Sequence, residues 1–277
     1  MQTNVLNAPT PYVENFESEL RSYIRSFPSL LIALSGGVDS SLLAAIAAEE
    51  NPDRSLAVTG VSASLPKEDL KGIQEFCHSY GLRHLTVKTN ELSKTGYRQN
   101  SVERCFFCKE ELYEKLQEIA AQENIATIID GTHAQDLQGH RPGHRAALNA
   151  GVRSPLVDLN ATKEDIRMLA TKMHLTTANR PSSPCLSSRI AYGEEVSAKK
   201  LQRIEAAEAF LKNLGFANVR VRYHDSIARI EVPNTELAKL SSCAQDVHAH
   251  LRELGFTYVT MDLGGYRSGS LLEIVKN

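Results

Sequence analysis

An apolar run, Leu30-Leu31-Ile32-Ala33-Leu34, stops at Ser-Gly-Gly-Val-Asp-Ser, and apolar residues resume at Leu42, Leu43, Ala45, Ile46 and Ala47. The first run is short and continuous, as in a strand buried on both faces of a parallel sheet. The second suits a buried helix. A strand that turns into a helix through two glycines limits the chain to α/β architectures. It also defines a binding place. Backbone N–H groups and the positive end of the helix meet at one point, and Gly36 and Gly37 let that backbone approach an anion closely. Ser35, Ser40 and Ser41 add hydroxyl donors around Val38. Asp39 is placed to hold Mg²⁺ through water or to orient the loop. The GxxxxGK[ST] phosphate loop is excluded, because no Gly-Lys pair occurs anywhere in the chain.

The same alternation continues. Strands are expected at Leu30–Leu34, Leu56–Val61, His84–Val87 and Ala126–Asp130, and helices at Ser40–Glu50, Lys67–Tyr80 and Cys108–Gln122. That order predicts a parallel sheet wrapped by helices. A helix over Thr162–Met173 has Thr162 as its N-cap and Asp165 three positions on. Beyond Gly131 and Thr132, which follow the fourth strand, Asp136 lies at the mouth of such a sheet, where ligands bind. The texture changes after the proline- and serine-rich stretch from Asn179 to Ser197. Beyond it come a helix, Ala198–Leu214, strands at Val219–Tyr223 and Ile227–Val232, a helical stretch over Thr235–Leu254, and strands at Tyr258–Asp262 and Leu271–Val275. We read residues 1–196 as one α/β domain and 197–277 as a smaller α+β domain.

With 277 residues, 42% of them hydrophobic, the chain has enough material for these cores. A net charge of −2 argues against a broad nucleic-acid-binding surface. No apolar run is long enough to cross a bilayer. The first 28 residues are mixed and polar, so the expected compartment is the cytoplasm.

Five cysteines in a chain of this length do not make a disulfide scaffold. Cys77 shares helical spacing with Ile73, Phe76 and Tyr80 and reads as core, while Cys243 stands near a helix break. Cys105 and Cys108 form a CxxC at the start of a helix, and Cys185 sits in the proline-serine loop. CxxC alone fits structural zinc or a redox pair as well as a cluster, and a histidine such as His133 would complete a zinc site. Three thiolates with no obvious fourth suit a [4Fe–4S] cluster with one open iron. Arg220 and Arg222 alternate onto one side of a strand, as a phosphate clamp or as a salt-bridged solvated face.

The Ser-Gly-Gly-Val-Asp-Ser turn resembles the pyrophosphate loop of the ATP pyrophosphatases. That likeness implies ATP and Mg²⁺, attack of a substrate oxygen on the α-phosphorus, and departure of pyrophosphate. Together with GTHAQD, RPGHRAA, GVRSPL, PCLSSRIAYG, VRVRYHDSIARIE and DLGGYRSGS, it makes the chain similar to the LarE family of ATP-dependent sulfur transferases over nearly its whole length. The family implies adenylation of a carboxylate of pyridinium-3,5-biscarboxylic acid mononucleotide and its conversion to a thiocarboxylate. Cys185 matches the cysteine that some members sacrifice as sulfur donor. Cys105 and Cys108 match the subgroup in which three cysteines hold a [4Fe–4S] cluster fed by sulfide or another sulfur donor. The resemblance makes residues 1–196 the ATP pyrophosphatase domain and 197–277 the substrate-binding and oligomerisation domain. It also implies an anionic-substrate pocket at Arg220, Arg222, Asp262 and Arg267, and a homo-oligomer, trimer or hexamer; Arg189, four residues after Cys185, is placed for a phosphate or AMP contact. Two stretches depart from the family pattern: GTHAQD has His133 and Gln135 where Asn and Asp are usual, and ANRPSS lacks the acidic residue common before the Arg-Pro of that loop. A tRNA thiolase and a non-catalytic nucleotide-binding iron–sulfur sensor are the rival readings.

Overall fold

A computed structural model describes residues 11–137, 142–181, 183–267 and 270–271. The chain divides into two compact units. The first takes the chain up to Val61, then Lys67–Thr89 and Cys105–Ser183; the second takes Ser62–Pro66, Asn90–Arg104 and the chain from Pro184 onward.

In chain order the strands are β1 (Leu30–Ala33), β2 (Ser55–Val61), β3 (His84–Lys88), β4 (Thr127–Ile129), β5 (Arg220–His224), β6 (Ile227–Glu231) and β7 (Tyr258–Met261). The helices are α1 (Pro11–Arg25), α2 (Val38–Glu50), α3 (Lys67–Ser79), α4 (Thr95–Arg98), α5 (Arg104–Gln122) and α6 (Pro142–Asn149). After them come α7 (Pro155–Asp158), α8 (Lys163–Lys172), α9 (Ala198–Asn213), α10 (Leu237–Ser242) and α11 (Ala244–Glu253).

The first unit holds a parallel sheet in the order β3-β2-β1-β4. Strand β1 lies inside it, and its alternating side chains supply two cores. Leu30 and Ile32 join Leu20 of α1, Leu42 and Leu43 of α2, Phe76 of α3 and Leu169 of α8. Leu31 and Ala33 join Tyr113 and Leu116 of α5 and Ala146 and Ala147 of α6. This is why the run is apolar throughout: both faces of the strand are covered. Each such side chain removed from water contributes about 1.5–3 kcal/mol. Helix α1 was not foreseen; Val13, Phe16, Leu20 and Ile24 recur at helical spacing and are buried. Helix α8 is capped as expected, with Thr162 Oγ1 accepting from the Asp165 amide and the Asp165 carboxylate accepting from the Thr162 amide.

The second unit holds a three-stranded sheet, β5-β6-β7, with β5 and β6 antiparallel and β6 and β7 parallel. Asp225, at φ +51°, takes the left-handed position in the hairpin turn between β5 and β6. Leu201, Ile204 and Leu211 of α9 and Val221 and Ile230 of the sheet are all buried. The single helix expected over Thr235–Leu254 is broken at Cys243 into α10 and α11. Of the strand expected at Leu271–Val275, Leu271 lies in a short 3₁₀ turn and the remainder lies outside the described residues.

Candidate active site

Strand β1 has β2 on one side and β4 on the other, so the connections leave it in opposite directions. At such a switch point a crevice opens beyond the carboxyl ends of the strands. Two segments emerge there, Ser35–Ser40 after β1 and Asp130–Asp136 after β4.

The first is built for an anion. Gly36 stands at φ +76°, and a Cβ there would come within 2.5 Å of the Ile73 side chain. Gly37, the N-cap residue of α2, contributes no side-chain cap. The opening amides of a helix have no intrahelical acceptor, which leaves those of Val38, Asp39 and Ser40 to a ligand. The Ser40 hydroxyl lies 3.0 Å from Ser35 Oγ and accepts from the Ser35 amide at 3.1 Å, which braces the loop across its mouth.

The second segment packs directly on the first. A Cβ on Gly131 would sit 2.7 Å from the Ser40 nitrogen and 3.1 Å from Asp39. Below it Asp130, which sequence reasoning had only as the end of a strand, is buried and fully engaged. Its oxygens accept from Tyr113 Oη at 2.8 Å, Ser154 Oγ at 2.7 Å, and the Thr132 hydroxyl and amide at 2.8 and 3.1 Å. Burial opposes its charge, but the nearby Lys109 ammonium and these donors hold its carboxyl below the usual value. Thr132, expected as a nucleotide contact, thus spends its amide and hydroxyl on Asp130. Asp136 accepts from the His133 amide at 3.4 Å and lies 3.3 Å from His133 Nε2.

Two basic residues at the crevice had escaped notice. Lys163, the first residue of α8, places Nζ 2.6 Å from each Asp39 oxygen, so an ammonium sits on the carboxylate expected to serve Mg²⁺. The Lys163 amide donates to Gln135 Oε1 at 3.2 Å. Arg180 donates to Asp69 at 2.6 Å and to the Gly36 carbonyl at 3.4 Å, and Ser183 Oγ donates to the other Asp69 oxygen at 2.7 Å. No motif marks either residue. They are found by which side chains the folded chain brings to Asp39 and Asp69.

Cys105 and Cys108 lie one turn apart at the start of α5, Cys105 exposed and Cys108 half-buried. Cys77 is core, and burial pushes its thiol up to about 11. Cys185, half-buried, belongs to the second unit. Among the described residues no group of three or more His, Cys, Asp or Glu side chains is gathered closely enough to hold a metal ion.

In the second unit Arg189 is 1% exposed. It meets Glu208 through two parallel bonds of 2.9 and 3.0 Å, and it donates to the Pro184 carbonyl and to the Cys185 carbonyl at 3.0 Å. Its guanidinium therefore braces the Cys185 loop. Arg222 donates to Glu231 at 2.8 and 3.0 Å and to the Ser188 carbonyl at 3.1 Å. Glu231 also meets Arg229, which pairs with Asp262 at 2.7 Å, and Asp262 lies 3.5 Å from Arg267. Arg220 lies over the Tyr266 ring, and burial together with the neighbouring Arg189 charge lowers its pKa. In this network four guanidinium groups meet the carboxylates of Glu208, Glu231 and Asp262, and Arg220 adds a fifth beside them, an excess of positive charge that suits an anionic ligand.

A parallel α/β unit whose first strand feeds a glycine-crowded anion loop defines a nucleotide-binding protein of the pyrophosphate-loop class. The PP-loop domain family of ATP-binding proteins matches residues 12–139. The chain is 33% identical to the pyridinium-3,5-bisthiocarboxylic acid mononucleotide synthase of Lactiplantibacillus plantarum, over 92% of this chain and 93% of that one. It is 39% identical to an uncharacterised protein of Synechocystis, over 95% and 99% of the two chains. An uncharacterised protein of Methanocaldococcus jannaschii is 29% identical over 86% and 91%. The chain belongs to the LarE family of ATP-dependent sulfur transferases. No helix among the described residues is long and apolar enough to cross a membrane.

Proposed function

We propose that this enzyme adenylates a carboxylate of pyridinium-3,5-biscarboxylic acid mononucleotide and converts it to a thiocarboxylate. The observation that carries the reading is the anion loop at Ser35–Ser40, packed against Gly131 at the switch point of the sheet, in a chain related over nearly its full length to a synthase of that product class. ATP lies with its β- and γ-phosphates on the amides of Gly36, Gly37, Val38, Asp39 and Ser40. A substrate carboxylate oxygen attacks the α-phosphorus, the bridging P–O bond breaks, and pyrophosphate departs with the electron pair. Because such displacements need positioning and charge neutralisation above all, the loop donors, Lys163 and Arg180 do most of the work. Asp39 and Asp136 would be the carboxylates that hold Mg²⁺, which would supply further charge neutralisation. Sulfur then attacks the acyl-adenylate carbon, AMP leaves, and the thiocarboxylate remains.

Arg220 and Arg222, within residues 197–277, hold the substrate phosphate in this reading, with Asp262 and Arg267 in the same substrate pocket, and residues 1–196 carry the adenylation. Arg189 acts with them as the brace of the Cys185 loop. Cys105, Cys108 and Cys185 would be the cysteine ligands of a [4Fe–4S] cluster, whose chemistry would be to carry sulfide from a sulfur donor. The support for the cluster is the cysteine pattern itself. A cytoplasmic homo-oligomer fits the family. Pyrophosphate release should depend on the mononucleotide precursor and not on added tRNA. Release without precursor, or only with tRNA, would overturn the reading.

A further inference from the structure

Cys185 follows a stretch rich in proline and serine that has little regular structure of its own. The loop beyond it is nevertheless held firmly by polar contacts within the second unit. Arg189 grips it from one side. From the other side it is gripped by Tyr97, Asn100 and Arg104, on the segment that ends immediately before Cys105. The Tyr97 hydroxyl, on a side chain 1% exposed, lies 2.5 Å from Ser187 Oγ. Arg104 donates to the Ser187 carbonyl at 2.8 Å and to Asn100 Oδ1 at 2.5 Å. Asn100 is fully buried at φ +52°. Its side chain donates to the carbonyls of Ala191 at 2.7 Å and Ile190 at 3.3 Å, and its own carbonyl accepts from the Gly193 amide at 3.1 Å. The Leu186 amide, next to Cys185, donates to the Ser64 carbonyl at 2.8 Å.

Buried side-chain polar groups bonded to Ser187, Ile190 and Ala191 specify one conformation for this loop, as a fully satisfied buried network does. The Cys185 carbonyl is itself fixed, by Arg189 and by the Ser188 amide at 2.9 Å. We propose that Tyr97, Asn100 and Arg104 are positioning residues for Cys185. They hold residues 186–193 in the conformation that places its thiol where the sulfur-transfer step needs it. The proposal rests on the sulfur-transfer reading above.

The test uses the full chain, with Arg104→Ala and with Tyr97→Phe, which removes one hydroxyl and leaves the packing. Three quantities are read: iodoacetamide labelling of Cys185 against Cys243 by mass spectrometry, precursor-dependent pyrophosphate release, and thiocarboxylate formed. Loss of one anchor should speed Cys185 labelling by about tenfold, as one net hydrogen bond does to a local opening equilibrium. Cys243 labelling should stay unchanged. Thiocarboxylate yield should fall by a similar factor while pyrophosphate release stays within about twofold. Should Arg104→Ala fail to fold, Tyr97→Phe decides alone. Wild-type labelling of Cys185, or equal losses of pyrophosphate and thiocarboxylate, overturns the positioning role. Absence of pyrophosphate release from the unaltered protein would instead sink the sulfur-transfer reading, and labelling would still judge the positioning role.

Discussion

Gly131 shows how little room the anion loop leaves. A methyl group at this position would stand 2.7 Å from the Ser40 nitrogen and 3.1 Å from Asp39, and backbone cannot swing aside as a side-chain tip can. Gly131→Ala should therefore shift the first turn of α2 and lower pyrophosphate release by about 100-fold, the scale of a 1 Å misplacement. The far-UV circular dichroism spectrum should stay as it was. Activity within twofold of the parent would show that the loop tolerates the shift. The two arginines of β5 should behave differently from each other. Arg220→Ala should weaken precursor binding by about 1.5–3 kcal/mol, the scale of a hydrogen bond to a charged group, with ATP affinity unchanged by calorimetry. Arg222→Ala should also lower folding stability by about 3 kcal/mol, because Arg222 is buried and shares the Glu231 carboxylate. Equal stability losses for the two variants would contradict that distinction.

Among the elements, α8 carries Lys163 to Asp39, and its start depends on the capping box at Thr162 and Asp165. Thr162→Ala removes one half of the box and should cost about 1 kcal/mol in urea unfolding. It should also loosen Lys163, so a rise in the KM for ATP should accompany the stability loss. A stability loss with unchanged KM would separate the cap from the site. Strand β4 and helix α5 meet at Asp130, whose pKa is depressed by Lys109 and by its hydrogen bonds against the opposing effect of burial. A carboxylate with a lowered folded-state pKa contributes stability that is fully present above its ordinary value of 3.8. That contribution is lost as pH falls below this value, when the unfolded chain binds the proton more readily. Acid titration of the melting temperature should show the loss, and Asp130→Asn should flatten it. An unchanged acid limb in Asp130→Asn would assign the effect to other carboxylates.

For the whole molecule, the cysteines separate a renewable from a single-use sulfur transfer. Anaerobically reconstituted enzyme given sulfide should form several thiocarboxylates per chain, and Cys105→Ala, Cys108→Ala and Cys185→Ala should each abolish this. Iron and sulfide analysis of the three variants gives a readout independent of turnover, because each lost thiolate should lower cluster occupancy. If the CxxC variants stay active while Cys185 loses the mass of its sulfur, Cys185 is sacrificed and the cluster is not required.

The local elements were legible because their causes are local. The run from Leu30 reads as a strand covered on both faces, and the glycines after it suit a close anion turn. Thr162 and Asp165 announced a helix start through their spacing, and Cys77 announced itself as core. Helix α1 went unread because its four buried apolar residues are scattered among charged ones, and a polar composition masked their period. Residues that meet across long stretches of sequence carry no such mark. Lys163 reaches Asp39 from 124 positions away, and Arg180 reaches Asp69 from 111. Arg189 looked like a phosphate ligand from its place beside Cys185, and only the folded chain brings Glu208 to its guanidinium. The sheet, the anion loop and the thiols could be read from the residues alone, since hydrophobic period, glycine freedom and cysteine chemistry act over a few positions. Which charges pair was settled only by folding, because an ion pair is set by distance in space, and chain separation says nothing of it.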